Sequence, residues 1–89
     1  MKVENMVSER SGKKDANQFI ITDNEGRQYF QSYDTIIAVR GLNGGIELDG
    51  QKWDYSVTTG KYRNIFLGET TKETQAKIDS GVYKLVDLN

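Results

Sequence analysis

The chain has 89 residues, with 12 Lys and Arg against 13 Asp and Glu and with neither His nor Cys. The missing residue types exclude disulfides and ordinary zinc sites, and they remove the usual general base and the strongest side-chain nucleophile of enzymes. A net charge of −1 predicts no electrostatic wrapping of nucleic acid. The composition therefore favours a protein that binds a partner, is not an enzyme, and carries no metal and no cofactor.

The length predicts one domain over residues 1–89, because chains divide into domains at about 100 to 200 residues each. Residues 1–16 are crowded with charged and small polar side chains, and we predict a short strand near residues 2 to 8 and then a loop, in a segment that need not be firmly ordered. No apolar run reaches signal-peptide length or the roughly 20 residues of a membrane span. We therefore expect a cytoplasmic protein that does not enter a membrane.

Two apolar runs on either side of Asp-Asn-Glu-Gly predict a β-hairpin with strands over residues 18–22 and 27–32. Gly26 closes this loop, and a glycine there can adopt the left-handed conformation that such hairpins require.

The β-branched run over residues 35–40 predicts another strand, which is followed by Asn43-Gly44. Asn-Gly is typical of a two-residue type I′ turn, because both residues tolerate positive φ. That turn would pair Arg40 with Glu47 and Val39 with Leu48. A second turn at Asp49-Gly50 would pair Glu47 with Lys52 and Ile46 with Trp53, which gives three strands one apolar face made of Ile37, Val39, Ile46, Leu48 and Trp53.

After Trp53 the apolar period changes from two to about 3.6, which predicts a short helix capped by Ser56 or Thr58 and ended by Gly68. A second, mostly polar helix begins with the capping box of Thr70 and Glu73. Residues 82–86 read as a last strand. The predicted fold class is α+β: an antiparallel β-meander of 4–6 strands with a short helical hairpin inserted before the last strand.

Aromatic, hydroxyl and basic side chains are densest between Trp53 and Leu67. One reading assigns Trp53, Tyr62 and Phe66 to the core and the hydroxyls to helix caps. The other assigns partner contacts, or stacking on bases with phosphate contacts, to the remaining polar residues of the segment. Lys61 and Arg63 are expected on the exposed side of the helix. The candidate partner-binding residues here are Tyr55, Ser56, Thr58, Thr59, Lys61 and Arg63.

A second polar and aromatic island lies at Gln31, Ser32 and Tyr33, between two apolar strands and without a glycine. It is either a plain strand end or a bulge that redirects side chains. We include these three residues among the candidate partner contacts.

The chain resembles small uncharacterised proteins of phages and mobile elements of Firmicutes. The motifs that carry this resemblance are Phe30-Gln31-Ser32-Tyr33 and Trp53-Asp54-Tyr55-Ser56 with Thr58-Thr59 and Lys61-Tyr62. The resemblance covers roughly residues 17 to 67 and implies no established activity. It implies a genomic context in which short accessory proteins often bind and block host machinery, including CRISPR effectors.

The leading hypothesis is therefore a phage-type accessory protein that binds a host protein in stoichiometric amount. In its most specific version, the protein is an anti-defence inhibitor of the anti-CRISPR type. One alternative is a nucleic-acid-binding module that uses Lys61, Arg63 and the tyrosines. Another is a self-associating structural component, because a small domain without disulfides gains stability from a second interface, and we expect a homodimer.

Overall fold

A computed structural model describes all 89 residues as one six-stranded sheet and two helices. The strands follow one another across the sheet in chain order, and all neighbours are antiparallel except the last pair, which is parallel. This confirms the predicted α+β fold with its helical hairpin before the last strand. The elements are β1 (Lys2–Val7), β2 (Lys14–Thr22), β3 (Gln28–Ser32), β4 (Thr35–Arg40), β5 (Ile46–Asp49), α1 (Val57–Leu67), α2 (Thr71–Asp79) and β6 (Lys84–Val86).

Both helices begin where their capping residues predict, and α1 also ends at the predicted glycine. The Ser56 hydroxyl accepts the backbone N–H of Thr59, and Gly68 ends α1 at a φ of 71°. Thr70 and Glu73 form the complete capping box of α2. Short side-chain caps satisfy backbone groups that the helix itself leaves unpaired, so these local signals locate the helix ends. Neither helix has the length and the apolar content needed to cross a membrane.

The core lies between the helices and one face of the sheet. Phe30, Ala38 and Leu48 are fully buried and stand opposite one another on β3, β4 and β5. A β-bulge in β4 inserts Ile37 as an extra residue, so Ile37 and Ala38 both enter the core. The Phe66 ring of α1 stacks on Phe30 with 5.9 Å between the ring centroids.

The register between β4 and β5 differs from the prediction by one residue. The Gly41 N–H bonds to the Gly45 carbonyl at 2.8 Å, and Gly44 has a φ of 84°, so the loop has three residues and not two. Arg40 stands opposite Ile46, and Val39 opposite Glu47. A shift of one residue moves a side chain to the other face of the sheet. The predicted pairs of Arg40 with Glu47 and Val39 with Leu48 are therefore wrong.

The shifted register brings Arg40 to the helix-covered face, where it secures the end of α1. Its Nη2 donates to the Phe66 carbonyl at 2.7 Å, and its guanidinium carbon lies 4.5 Å from the Phe66 ring centroid. The last carbonyls of a helix have no partner within the helix, and a cation there is favourable. Arg40 therefore couples the sheet to the C-terminal end of α1.

The chain turns at Asp49-Gly50 as predicted, but the hairpin with its pairs of Glu47 with Lys52 and Ile46 with Trp53 does not form, and Trp53 does not belong to a strand. The Asp49 carboxylate accepts the backbone N–H groups of Gln51 and Lys52, which forms a side-chain turn in place of a hairpin. The other Asp49 oxygen accepts the Leu88 N–H at 2.9 Å. β5 therefore pairs with β6 in parallel, after the crossover through both helices.

Glu69 joins the helix pair to the start of β6. Its side chain is 5% exposed, and it accepts hydrogen bonds from Lys77 Nζ at 2.6 Å and from the Tyr83 hydroxyl at 2.8 Å. Burial alone raises the pKa of this carboxyl, but the bonds from Lys77, Thr74 and Tyr83 outweigh burial and hold its pKa below the usual value. The ionised form therefore stabilises the folded state.

This depressed pKa predicts acid sensitivity. The stabilisation from Glu69 is complete above the pKa of the unfolded chain, about 4.3, and is lost as the pH falls through the lower folded-state pKa. Thermal melts should show the melting temperature falling over this acid range, and Glu69→Gln should flatten that fall. Glu9→Gln, at an exposed position, is the control. Equal acid slopes for the wild type and Glu69→Gln would contradict this assignment.

Candidate functional site

The two polar islands of the sequence meet in the structure. The Ser32 hydroxyl lies 2.9 Å from the Thr59 hydroxyl, and both side chains are fully buried between β3 and the first turn of α1. Ser32 and Thr59 are separated by 27 positions in the chain. Their bond places the turn that follows β3 beside the start of α1, but it leaves neither hydroxyl accessible to a partner.

Arg63 is buried, and the prediction of an exposed basic side chain is wrong at this position. Its side chain is 0% exposed, and Nη1 donates to the Trp53 carbonyl and to the Asp54 carboxylate at 3.0 Å. The Trp53 ring centroid lies 5.0 Å from its guanidinium carbon. Arg63 therefore holds the loop before α1 in place and cannot form part of an exposed patch.

The same guanidinium reaches the second helix. Nη2 donates to the Thr71 hydroxyl at 2.8 Å and to the Asn64 side-chain oxygen at 3.1 Å. The flat, forked geometry of arginine suits partners in several directions, which lysine cannot match. A periodicity argument missed this role because it counted Arg63 as charged and therefore exposed.

Tyr33 is exposed and held in an uncommon backbone conformation. It has a φ of 56°, the only positive value at a non-glycine residue, and its side chain is 53% exposed. Its N–H bonds to the Asn17 carbonyl at 2.7 Å, and its carbonyl accepts the Gln31 side-chain amide at 2.7 Å. A strained residue that presents an aromatic ring to solvent is typical of a contact site.

An exposed surface runs from the loop before α1 along the outer side of that helix. Tyr55 is 45% exposed, and Lys52 Nζ lies 5.0 Å from the centroid of its ring. Val57 is 86% exposed and Ile65 is 37% exposed, and these two bracket Lys61 at helical spacing. We call these residues the α1 surface, which consists of Tyr55, Val57, Thr58, Lys61 and Ile65.

Of the nine predicted contact residues, the exposed ones are Tyr33, Tyr55, Ser56, Thr58 and Lys61, and Gln31 is half-buried. The hydroxyl of Ser56 is already engaged as the cap of α1. Sequence reasoning missed Val57 and Ile65. Their spacing of four from Lys61, on the side away from Tyr62 and Phe66, is the signal that could have revealed them.

A groove of about 420 Å³ lies beside the α1 surface, between the β1–β2 loop and the second half of α1. Its lining is mostly polar and includes Ser8, Lys61 and Tyr62. Burial and the neighbouring Asp15 carboxyl raise the pKa of the Tyr62 phenol, so the group is neutral at ordinary pH. The groove can therefore accept a polar side chain of a partner.

The sequence pattern of DUF8033, described as a family of unknown function, matches residues 1–81. This match covers most of the chain, so the protein belongs to that family. No curated protein and no solved structure matches the chain.

The burial of Arg63 predicts that Arg63→Ala destabilises the fold by about 3 kcal/mol, because the substitution leaves the Trp53 carbonyl and the Thr71 hydroxyl without this donor and opens a cavity. Arg63→Lys should not restore stability, since an ammonium cannot reach the same set of acceptors. Lys61→Ala is the matched control and should change stability by no more than about 0.5 kcal/mol. Urea unfolding measures all three, and an Arg63→Ala variant as stable as wild type would refute the role of the guanidinium.

The backbone of Tyr33 predicts a gain in stability on substitution by glycine. A left-handed conformation costs an L-residue about 1–2 kcal/mol, and the greater flexibility of unfolded glycine offsets about half of this. Tyr33→Gly should therefore raise the free energy of unfolding by roughly 0.5–1 kcal/mol. Tyr33→Ala, which keeps the strain and loses the ring, is the comparison. A loss of stability in the glycine variant would mean that packing of the ring outweighs the strain.

Proposed function

We propose that this protein is a non-catalytic accessory protein that binds one protein partner in equimolar amount through the α1 surface and the adjoining Tyr33 turn. The observation that carries this proposal is the exposure of Tyr55 and Val57 on a segment that the buried Arg63 holds rigid. Exposed aromatic side chains on a fixed backbone bind with little loss of conformational entropy. The groove beside Lys61 adds polar positions at the rim of the same surface.

The finer part of the proposal concerns the partner. The motifs around Ser32 and Tyr55 resemble those of small uncharacterised proteins of phages and mobile elements of Firmicutes, a genomic context in which short accessory proteins often bind and block host machinery. We therefore propose a host protein as the partner, with a component of a defence system such as a CRISPR effector as the leading case. A protein that blocks its target by occupying it needs no catalytic groups, which agrees with a chain that has neither His nor Cys.

The burial of Arg63 weakens the nucleic-acid alternative. That reading needs several free cations along one surface, because phosphate contacts supply most of the affinity. The α1 surface itself carries one basic group, Lys61, and the neighbouring Lys52 lies over the Tyr55 ring. With a net charge of −1 the whole chain adds no attraction for a polyanion.

The experiment is affinity capture from a lysate of a Firmicutes host, with nuclease treatment and at low and high salt. We expect a protein recovered in equimolar amount that survives nuclease and high salt. A Tyr55→Ala, Lys61→Ala double variant should lose it, because both substitutions lie at the centre of the proposed contact. Lys72→Ala, at an exposed position of α2, is the control and should capture as wild type does.

Two results would overturn the proposal. If nuclease removes everything that the wild type captures, the protein binds nucleic acid. If the double variant captures the same protein in the same amount, the partner binds elsewhere on the molecule. Thermal melts of the double variant must match those of the wild type, so that a loss of capture reports the surface and not the fold.

A further inference from the structure

The sheet face turned away from the helices carries apolar side chains that neither helix covers, of which Val3 is exposed and the others are half-buried. Val3, Ile21, Tyr29 and Val39 stand in register across β1 to β4. Phe19 and Ile36, which pair with Asn5 and Gln31, form the next row. None of the six belongs to the core cluster between helices and sheet. We call the open face the set of Val3, Phe19, Ile21, Tyr29, Ile36 and Val39.

The strand sequences themselves indicate that this face should be covered. A sheet with one wet face alternates apolar and polar residues, whereas a strand buried on both faces has a continuous apolar run. β2 contains Phe19-Ile20-Ile21, and β4 contains Ile36-Ile37-Ala38-Val39. The helices cover Ile20 of the first run and Ile37 and Ala38 of the second. The other residues of the two runs, Phe19, Ile21, Ile36 and Val39, lie on the open face.

We propose that the open face is the interface of a homodimer, in which the two sheets pack face to face. The open face lies on β1 to β4, and strands about 4.8 Å apart with residues about 3.3 Å apart give these four strands a face on the order of 400 Å² in projection. Two such faces bury on the order of 800 Å² in projection, and side-chain relief raises this toward the roughly 1,000 Å² expected of a specific interface. Two sheets of equal twist also pack well in the aligned arrangement.

The charges around the open face permit contact with an identical copy. Glu47 stands opposite Lys84 in the register of β5 and β6, and Arg27 forms ion pairs with Asp23 and Glu25. The charged rim is therefore balanced locally, and a net charge of −1 per chain gives little repulsion between copies. The edges of the sheet are less suitable for self-pairing, because β1 carries Lys2 and Glu4 and β6 has three residues.

Sedimentation of the full chain at micromolar concentration tests this interface. The wild type should have twice the chain mass of 10.1 kDa. Val39→Lys places a charge on the open face opposite Glu47, where the monomer gains a favourable cross-strand pair while a dimer would have to bury the charge. Symmetry applies the change twice, so the dimer should weaken at least about 100-fold. Val57→Lys, the same substitution on the exposed side of α1, should leave the dimer unchanged.

Ile21→Thr is the second variant and keeps the β-branched shape that strands favour while it removes apolar contact. It should weaken the dimer as well, and circular dichroism should show that both variants retain the fold. A wild type that sediments as a monomer across the concentration series overturns the proposal. So does a dimer that persists in folded Val39→Lys and Ile21→Thr, because the copies would then meet elsewhere.

Discussion

The buried guanidinium of Arg63, on α1, holds both the loop before that helix and the start of the next helix. It bonds to the loop before α1 through Trp53 and Asp54, and to the start of α2 through Thr71. A buried charge is costly unless its hydrogen bonds are made, and the Arg63 Nε remains without a partner. Its one carboxylate partner, Asp54, has a side chain that is 47% exposed. An apolar residue would avoid this cost, so the position serves to orient the loop that carries Tyr55 more than to maximise stability.

α1 is consequently secured at three levels along its length. The Ser32–Thr59 hydroxyl pair holds the first turn, Arg63 holds the middle, and Arg40 bonds to the Phe66 carbonyl near the end. Polar contacts with definite directions complement the stacking of Phe66 on Phe30, which constrains rotation less. The outer side of the helix is thereby presented in one orientation, as a binding surface requires. Gln18, which pairs with Ser32 in the register of β2 and β3, is also buried, and its amide has no partner.

Features with a local cause could be predicted from the sequence, and features with a distant cause could not. Ser56, Gly68 and the Thr70–Glu73 box each act within one helical turn, and the helix ends lie where these residues predict. The register of β4 and β5 depends on a choice between two loop lengths that Asn43-Gly44 alone does not decide, because the positive φ of Gly44 suits the three-residue loop as well as the two-residue turn. The parallel pairing of β5 with β6 depends on Asp49, whose partner Leu88 is 39 residues away. Within the site, the polar neighbours of Tyr33 and Tyr55 in the sequence predict that both residues are exposed. The burial of Arg63 could not be predicted in this way, because it depends on acceptors from two other segments of the chain.

The two proposed interfaces lie on opposite sides of the sheet, since α1 packs on the face of Phe30 and the open face includes Tyr29. Successive residues of a β-strand point to opposite faces of the sheet, so Phe30 contacts α1 while its neighbour Tyr29 belongs to the proposed dimer interface. A face-to-face dimer would leave both copies of the α1 surface outward, so self-association and partner binding would not compete. A partner that is itself repeated or dimeric would then meet two sites at once, and its apparent affinity would exceed that of one site without any new contact. The dimer would in that way strengthen the proposed blocking function while each chain keeps a single small surface.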